Sequence, residues 1–254
     1  MIKKFKNPIV FSLVLLPVSL VGGFFTSLYL AESYDAQSIQ KILSSAGLAD
    51  ISVLHIITAV QTAFQVFIMS FSGYILAEKL GLMKKFSFKK DGLISTLLLT
   101  AVAAIVFIVL EYGCFCRLIP EAAAIYDEKP TIAYMISCLT YGGVIEEIMM
   151  RLFLLSLIAF IIWKLFFRNS DTVPEKVLVA ANITAALLFA LGHLPSTLML
   201  FGEVTPLILI RCIVLNSMAG LVCGHLYINH GIQYAMLSHM GFHIIWKLVW
   251  ILFI

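Results

Sequence analysis

Long apolar runs broken by short polar connections order this chain from end to end. The runs cover about Pro8 to Leu30, Ile51 to Leu76, Leu93 to Glu111, Thr131 to Phe167, Val177 to Leu194, Thr205 to Ile228 and Ile232 to Ile254. Each is long enough to cross hydrocarbon as a helix, which takes about 20 apolar residues. The run from Thr131 to Phe167 is too long for one upright span at about 1.5 Å per residue. It is therefore expected to tilt, to protrude, or to break near Gly142-Gly143, where a break would open backbone beside Glu146. The reading is an all-α, polytopic bundle of seven or eight spans. Lys3, Lys4 and Lys6 before the first run suggest a signal peptide, but the run is long and no small-x-small cleavage site follows, so it is read as the first span. His230-Gly231 marks a tight turn between the last two spans.

Composition agrees with this pattern: 61% of residues are hydrophobic and only 12% charged, against roughly a quarter charged in soluble domains. No stretch is polar enough for a separate soluble domain, so residues 1–254 are read as one integral membrane domain. The net charge of +3 comes from lysines at span ends, which speaks to topology and gives no support to nucleic-acid binding. Lysines 79, 84, 85, 89 and 90 form the densest basic cluster; with the N-terminal lysines and with Lys164, Arg168 and Lys176 they place those ends in the cytoplasm. The loops near Asp35 and Asp127 then lie outside, in a multi-pass protein of a bacterial-type cell membrane. Five cysteines show no paired zinc or redox spacing and read as small apolar residues.

Against this background the run Gly142-Gly143-Val144-Ile145-Glu146-Glu147-Ile148-Met149-Met150-Arg151 stands out. Charges in hydrocarbon cost a few kcal/mol each, so something must offset them. Glu147 and Arg151 are i,i+4 and can pair on one face; Glu146 lies about 100° round the helix and points elsewhere. A structural ion pair explains Glu147 and Arg151 but leaves Glu146 free, and a free carboxylate in dry surroundings suits general acid or base work. Two further groups bear chemistry. Phe189 lies one turn before His193 and can wall its ring, although a lone histidine at a span end more often serves hydrogen bonding. His239 and His243 share a face at i,i+4, a spacing suited to metal ligation or to joint donation to one anion. Gln61, Gln65, Asn182 and Asn216 read as interhelical hydrogen-bonders and Arg211 as a snorkelling residue. Gly220 and Gly224 read as a close-packing face.

Taken in order, Glu146-Glu147-x-x-x-Arg151, Phe189-x-x-x-His193 and His239-x-x-x-His243 resemble the signature of the CAAX protease and bacteriocin-processing family of intramembrane endopeptidases, which includes type II CAAX prenyl proteases. The resemblance runs from Tyr141 onward, within a core of about residues 131–254, and includes Gly220 to Tyr227 and Gly231-Ile232. It implies a helical bundle with an internal polar cavity and hydrolysis of a peptide bond in a membrane-associated protein or peptide, lipidated or not. Carried over by position, Glu146 and His193 activate the attacking water, Glu147 and Arg151 support the site, and His239 and His243 stabilise the oxyanion. One position departs from the pattern: the last motif usually ends in asparagine, and here it is His243. The resemblance implies no cofactor, although three imidazoles and a carboxylate could also hold zinc. The rival readings are a non-catalytic immunity or scaffold protein binding a peptide in the same cavity, and an ion-coupled transporter, against which stands the lack of an internal repeat.

Overall fold

The computed structural model describes residues 2–253. Ile254, which closes the expected last span, lies outside the described residues, as do the side chains of Lys3 and Lys4. Every regular element among the described residues is helical. Among the described residues, seven helices are long and apolar enough to cross a membrane: Lys6–Ser33, Ile51–Leu80, Lys90–Leu118, Ile132–Phe166, Glu175–Phe201, Pro206–His230 and Ile232–Phe253, here called spans 1 to 7. The protein is an integral, multi-pass membrane protein, and the described residues supply seven candidate spans against the expected seven or eight.

Caps and breakers explain the boundaries. Asp50 accepts the backbone N–H of Ser52 at 2.8 Å to start span 2, and Gly81, at φ 73°, closes it in the left-handed conformation that glycine adopts without a Cβ penalty. Thr131 and Thr205 cap spans 4 and 6 in the same way, and Pro206 occupies the first turn of span 6, where its missing N–H costs nothing. Between spans 1 and 2 a short helix, Ala36–Ser45, is capped by Asp35 and buries none of its residues.

Of the three alternatives expected for span 4, the break is not the one taken. The span does not break at Gly142-Gly143; it runs on as π-helix over Cys138–Glu146 and Ile148–Leu155, with α-helix on either side. The physical reason lies in its pairing with span 7. Lys247 donates to Tyr134 Oη at 2.9 Å and His239 Nδ1 donates to Glu147 at 2.8 Å. These two rungs are eight residues apart on span 7 and thirteen apart on span 4, or about 12 and about 20 Å at the α-helical rise. Wider π-turns, closed by i→i+5 bonds, place more residues in each length of axis and take up the mismatch without opening the backbone.

The apolar interior falls into two clusters. One gathers Val66, Ile145, Ile148, Leu152, Leu155, Ala181, Ala185 and Tyr227; the other gathers Phe107, Phe115, Ile208, Leu215 and Phe242. Small residues let the spans close up. A Cβ on Gly220 would lie 3.0 Å from Ala186 Cβ, and one on Gly224 would overlap the Asn182 side chain, so the expected close-packing face on span 6 meets span 5. Buried hydroxyl pairs tie other spans: Ser12 with Ser70 at 2.8 Å, Thr26 with Ser137 at 2.7 Å and Thr100 with Ser238 at 2.7 Å.

Several side chains sit elsewhere than expected. Gln61 and Gln65 are exposed on the outer face of span 2. Arg211 does not snorkel. It donates to the fully buried Glu111 through Nε at 2.8 Å and through Nη2, while Tyr126 Oη donates to the same carboxylate at 2.8 Å. A guanidinium that finds a carboxylate in hydrocarbon has no reason to stretch to the interface. Asn182 does bond across helices, to Leu221 O at 3.1 Å, but Asn216 donates to Cys212 O in its own helix.

Candidate active site

Glu147 is the joint between the two π-helical segments of span 4, and its side chain is wholly buried. One carboxylate oxygen lies 3.2 Å from Arg151 Nε, an ion pair held by charge and not by an aligned hydrogen bond. Arg151 is itself 2% exposed, donates Nη2–H to Gly220 O at 3.1 Å and lies 4.8 Å from the centre of the Phe189 ring. The guanidinium is thus fixed from three sides, by spans 4, 6 and 5. This accounts for the ion pair expected from the i,i+4 spacing.

The other Glu147 oxygen has a partner that spacing within one helix does not reveal: it accepts the Nδ1–H of His239, 92 residues away, at 2.8 Å. A carboxylate on Nδ1 fixes both the ring orientation and the tautomer, leaving Nε2 as the working nitrogen. Glu146 Oε2 lies 3.9 Å from that Nε2 and keeps 19% side-chain exposure. The two adjacent carboxylates therefore straddle one imidazole. The inner one is neutralised and buried; the outer one is partly open.

His243 stacks on His239 with ring centres 4.9 Å apart. Gly142 makes room for the pair: a Cβ there would stand 3.0 Å from His243 Nε2 and 3.6 Å from His239 Nε2. Both Nε2 atoms thus face the backbone one turn before Glu146. His243 Nδ1 is buried with no hydrogen-bond partner, an orphan best carried as a lone pair, which leaves the N–H on Nε2.

His193 sits at the joint in span 5 between Glu175–Gly192 and Leu194–Phe201. Pro195 follows it and lacks the N–H that would continue the ladder. Its Nδ1 bonds Phe189 O at 2.8 Å; a carbonyl only accepts, so Nδ1 carries the proton and Nε2 is free. Phe189 connects it to the rest, with its ring 4.6 Å from that of His193 and 6.1 Å from that of His239. Glu146, Glu147, Arg151, Phe189, His193, His239 and His243 therefore meet in one cluster, with His193 joined to the carboxylates through Phe189 and not by a direct bond.

One neighbour of the cluster was not singled out from the sequence. Cys223, taken there as a small apolar filler, places its sulfur with the Glu147 carboxylate and His239 ring so that the three ligating atoms lie within 4.8 Å of one another. Its position between Gly220 and Gly224, on the face closest to Arg151, was the available signal. That trio suits a cation poorly, because the Arg151 guanidinium already holds Glu147.

Residues 128–245 match the family model described as type II CAAX prenyl endopeptidase Rce1-like. The match supports a CAAX protease family assignment for this stretch of the chain. The match begins just before span 4 and ends just past His243, so it contains the whole cluster, and the family is one of proteases. The chain has no match among curated proteins and none among solved structures.

Proposed function

We propose that the protein is an intramembrane endopeptidase that hydrolyses a peptide bond of a membrane-associated protein or peptide with a water held between Glu146 and His239. The observation that carries the proposal is the pair of carboxylates on the two nitrogens of one imidazole. A gap of 3.9 Å between Glu146 Oε2 and His239 Nε2 is too long for a direct hydrogen bond, and a bridging water suits such a separation. Glu146 takes a proton from that water as its oxygen bonds the scissile carbonyl carbon. The carbonyl electron pair moves onto oxygen, where the Nε2–H of His243 donates to it. Collapse of the tetrahedral intermediate breaks the C–N bond, and the proton held between Glu146 and His239 passes to the leaving amine. Glu147 orients His239, as a buried carboxylate orients the histidine of a serine-protease triad. His193, whose Nε2 is an acceptor, is proposed to take the water's second proton when the new carboxylic acid ionises.

The reading is metal-free. Two imidazoles and a carboxylate nonetheless fit zinc by donor chemistry, and if zinc is bound, His239, His243 and Glu146 are the residues that would hold it, with Glu147 behind His239. A zinc ion there would supply a water ionised near neutral pH. Cleavage that survives exhaustive chelation supports the metal-free reading. The deciding experiment is cleavage of a library of lipidated and unlipidated peptides by purified protein in lipid nanodiscs, comparing wild type with Glu146→Ala. Cleavage by the wild type alone is expected; peptide binding without cleavage by either form would favour a non-catalytic scaffold.

A further inference from the structure

On the face that the lysine bias assigns to the cytoplasm, the loop between spans 2 and 3 is bound to the turn between spans 6 and 7. Tyr234 and Gln233, both buried at the start of span 7, hold it. Tyr234 Oη accepts the Lys89 backbone N–H at 2.5 Å and donates to Ser87 O at 3.1 Å, and Gln233 Nε2 donates to Ser87 O at 3.0 Å. Lys84 donates across to Asn229 O. A pocket of about 380 Å³ remains between loop and turn, and Lys84, Lys85, Lys89, His230 and Asp91 line it. Three ammonium groups thus face one carboxylate.

This pocket lacks a matching counter-charge. Burial, and then the nearby Lys89, hold the pKa of Lys84 below its ordinary value, as expected of a cation short of an anion. Span 3 begins at the same place, and no side chain caps its N-terminus, so its first-turn N–H groups and the positive end of its dipole add to the field. Asp91 in that first turn offsets only part of it. The lysines alternate with aromatic residues. Phe86 and Phe88 are 66% and 53% exposed, pack against each other at 5.5 Å and stand where span 2 has just left the hydrocarbon. Exposed aromatics flanking lysines at that depth lie naturally at the boundary of headgroups and acyl chains.

We propose that this pocket binds a phosphate group, and that in the membrane the occupant is the headgroup of an anionic phospholipid whose chains lie along Phe86 and Phe88. The test uses the full chain in nanodiscs of phosphatidylcholine with and without phosphatidylglycerol. Phosphatidylglycerol is expected to raise the unfolding midpoint by a few degrees, as a ligand of the folded state does. The rise should vanish in Lys84→Gln/Lys89→Gln and persist in Lys176→Gln, a change on the same face outside the pocket. Native mass spectrometry should then retain phosphatidylglycerol on the wild type and not on the double variant. A rise lost equally in Lys176→Gln would show bulk surface charge and overturn the proposal, as would no rise at all. Inorganic phosphate that stabilises the protein in phosphatidylcholine alone, where phosphatidylglycerol adds nothing, would overturn the lipid assignment.

Discussion

The two adjacent carboxylates should respond differently to the same substitution. Glu147 is wholly buried between Arg151 at 3.2 Å and His239 at 2.8 Å. In Glu147→Gln the amide oxygen can still accept from His239 Nδ1–H, but the amide NH₂ then turns toward a guanidinium that is 2% exposed. Breaking one side of a buried ion pair costs about 3–5 kcal/mol. Arg151 keeps the Gly220 carbonyl and the Phe189 face, so the loss belongs near about 3 kcal/mol. At about 2–4 °C per kcal/mol for a domain of this size, the unfolding midpoint should fall by roughly 6–12 °C. Glu146 has only the 3.9 Å approach to His239 and retains solvent or substrate contact. Glu146→Gln should leave the midpoint within about 2 °C while turnover falls by roughly two to four orders of magnitude. The assay is peptide cleavage alongside thermal unfolding in nanodiscs for both variants. A fully active Glu146→Gln, or two variants that lose stability alone, would refute the reasoning and leave a peptide-binding scaffold as the better account.

Other expectations follow from single contacts. Gly142→Ala places a methyl 3.0 Å from His243 Nε2, so kcat should drop about tenfold with no change in unfolding midpoint; unchanged turnover would remove His243 from the reacting centre. Gly224→Ala overlaps Asn182 and should destabilise by about 1–3 kcal/mol, with Asn182→Ala on top of it restoring most of the loss in the same melt. Asp35 accepts two bonds from Ser38, which lower its carboxyl pKa. A depressed folded pKa contributes stability that is present above the unfolded value and lost as pH falls through the folded one. Hydrogen exchange at the Ser38 amide should therefore show the helix Ala36–Ser45 fraying in acid, and Asp35→Ala should fray it at neutral pH and remove that dependence. Lys85→Cys should be labelled by an impermeant thiol reagent only from the cytoplasmic side of opened cells; labelling in intact cells would invert the orientation.

The spans were legible because hydrocarbon imposes one rule, an apolar run of about 20 residues between polar connections, and the described residues follow it seven times. Rotation of each helix about its axis was not. In water an amphipathic stripe says which face is inside, but lipid is as apolar as a core, so both faces of these helices read alike. Gln61 and Gln65 show the consequence: their polarity suggests an inward face, and both point outward. Glu111 and Arg211 show the converse. One was read as the end of a span and the other as a snorkelling cation, because 100 residues separate them and nothing in either local sequence announces the partner.

For the site, spacing could show only what one helix does to itself. The Glu147–Arg151 pair was readable because both residues lie on span 4, whereas the bond from His239 to Glu147 joins two helices 92 residues apart in sequence. That bond changes the meaning of the doublet. With Arg151 alone, Glu147 is a charge made harmless; with His239 as well, it is the group that decides which nitrogen faces Glu146. The π-winding is part of the same arrangement, since it reduces the roughly 8 Å by which the Lys247–Tyr134 and His239–Glu147 rungs would differ in spacing at α-helical rise. Deleting one residue between Tyr134 and Gly142 turns Tyr134 by about 100° round the axis relative to Glu147 and should therefore keep one rung at the expense of the other. If His239 loses Glu147, turnover should collapse although all seven motif residues remain. Retained turnover in such a deletion would mean that Glu147 does not set the working nitrogen of His239.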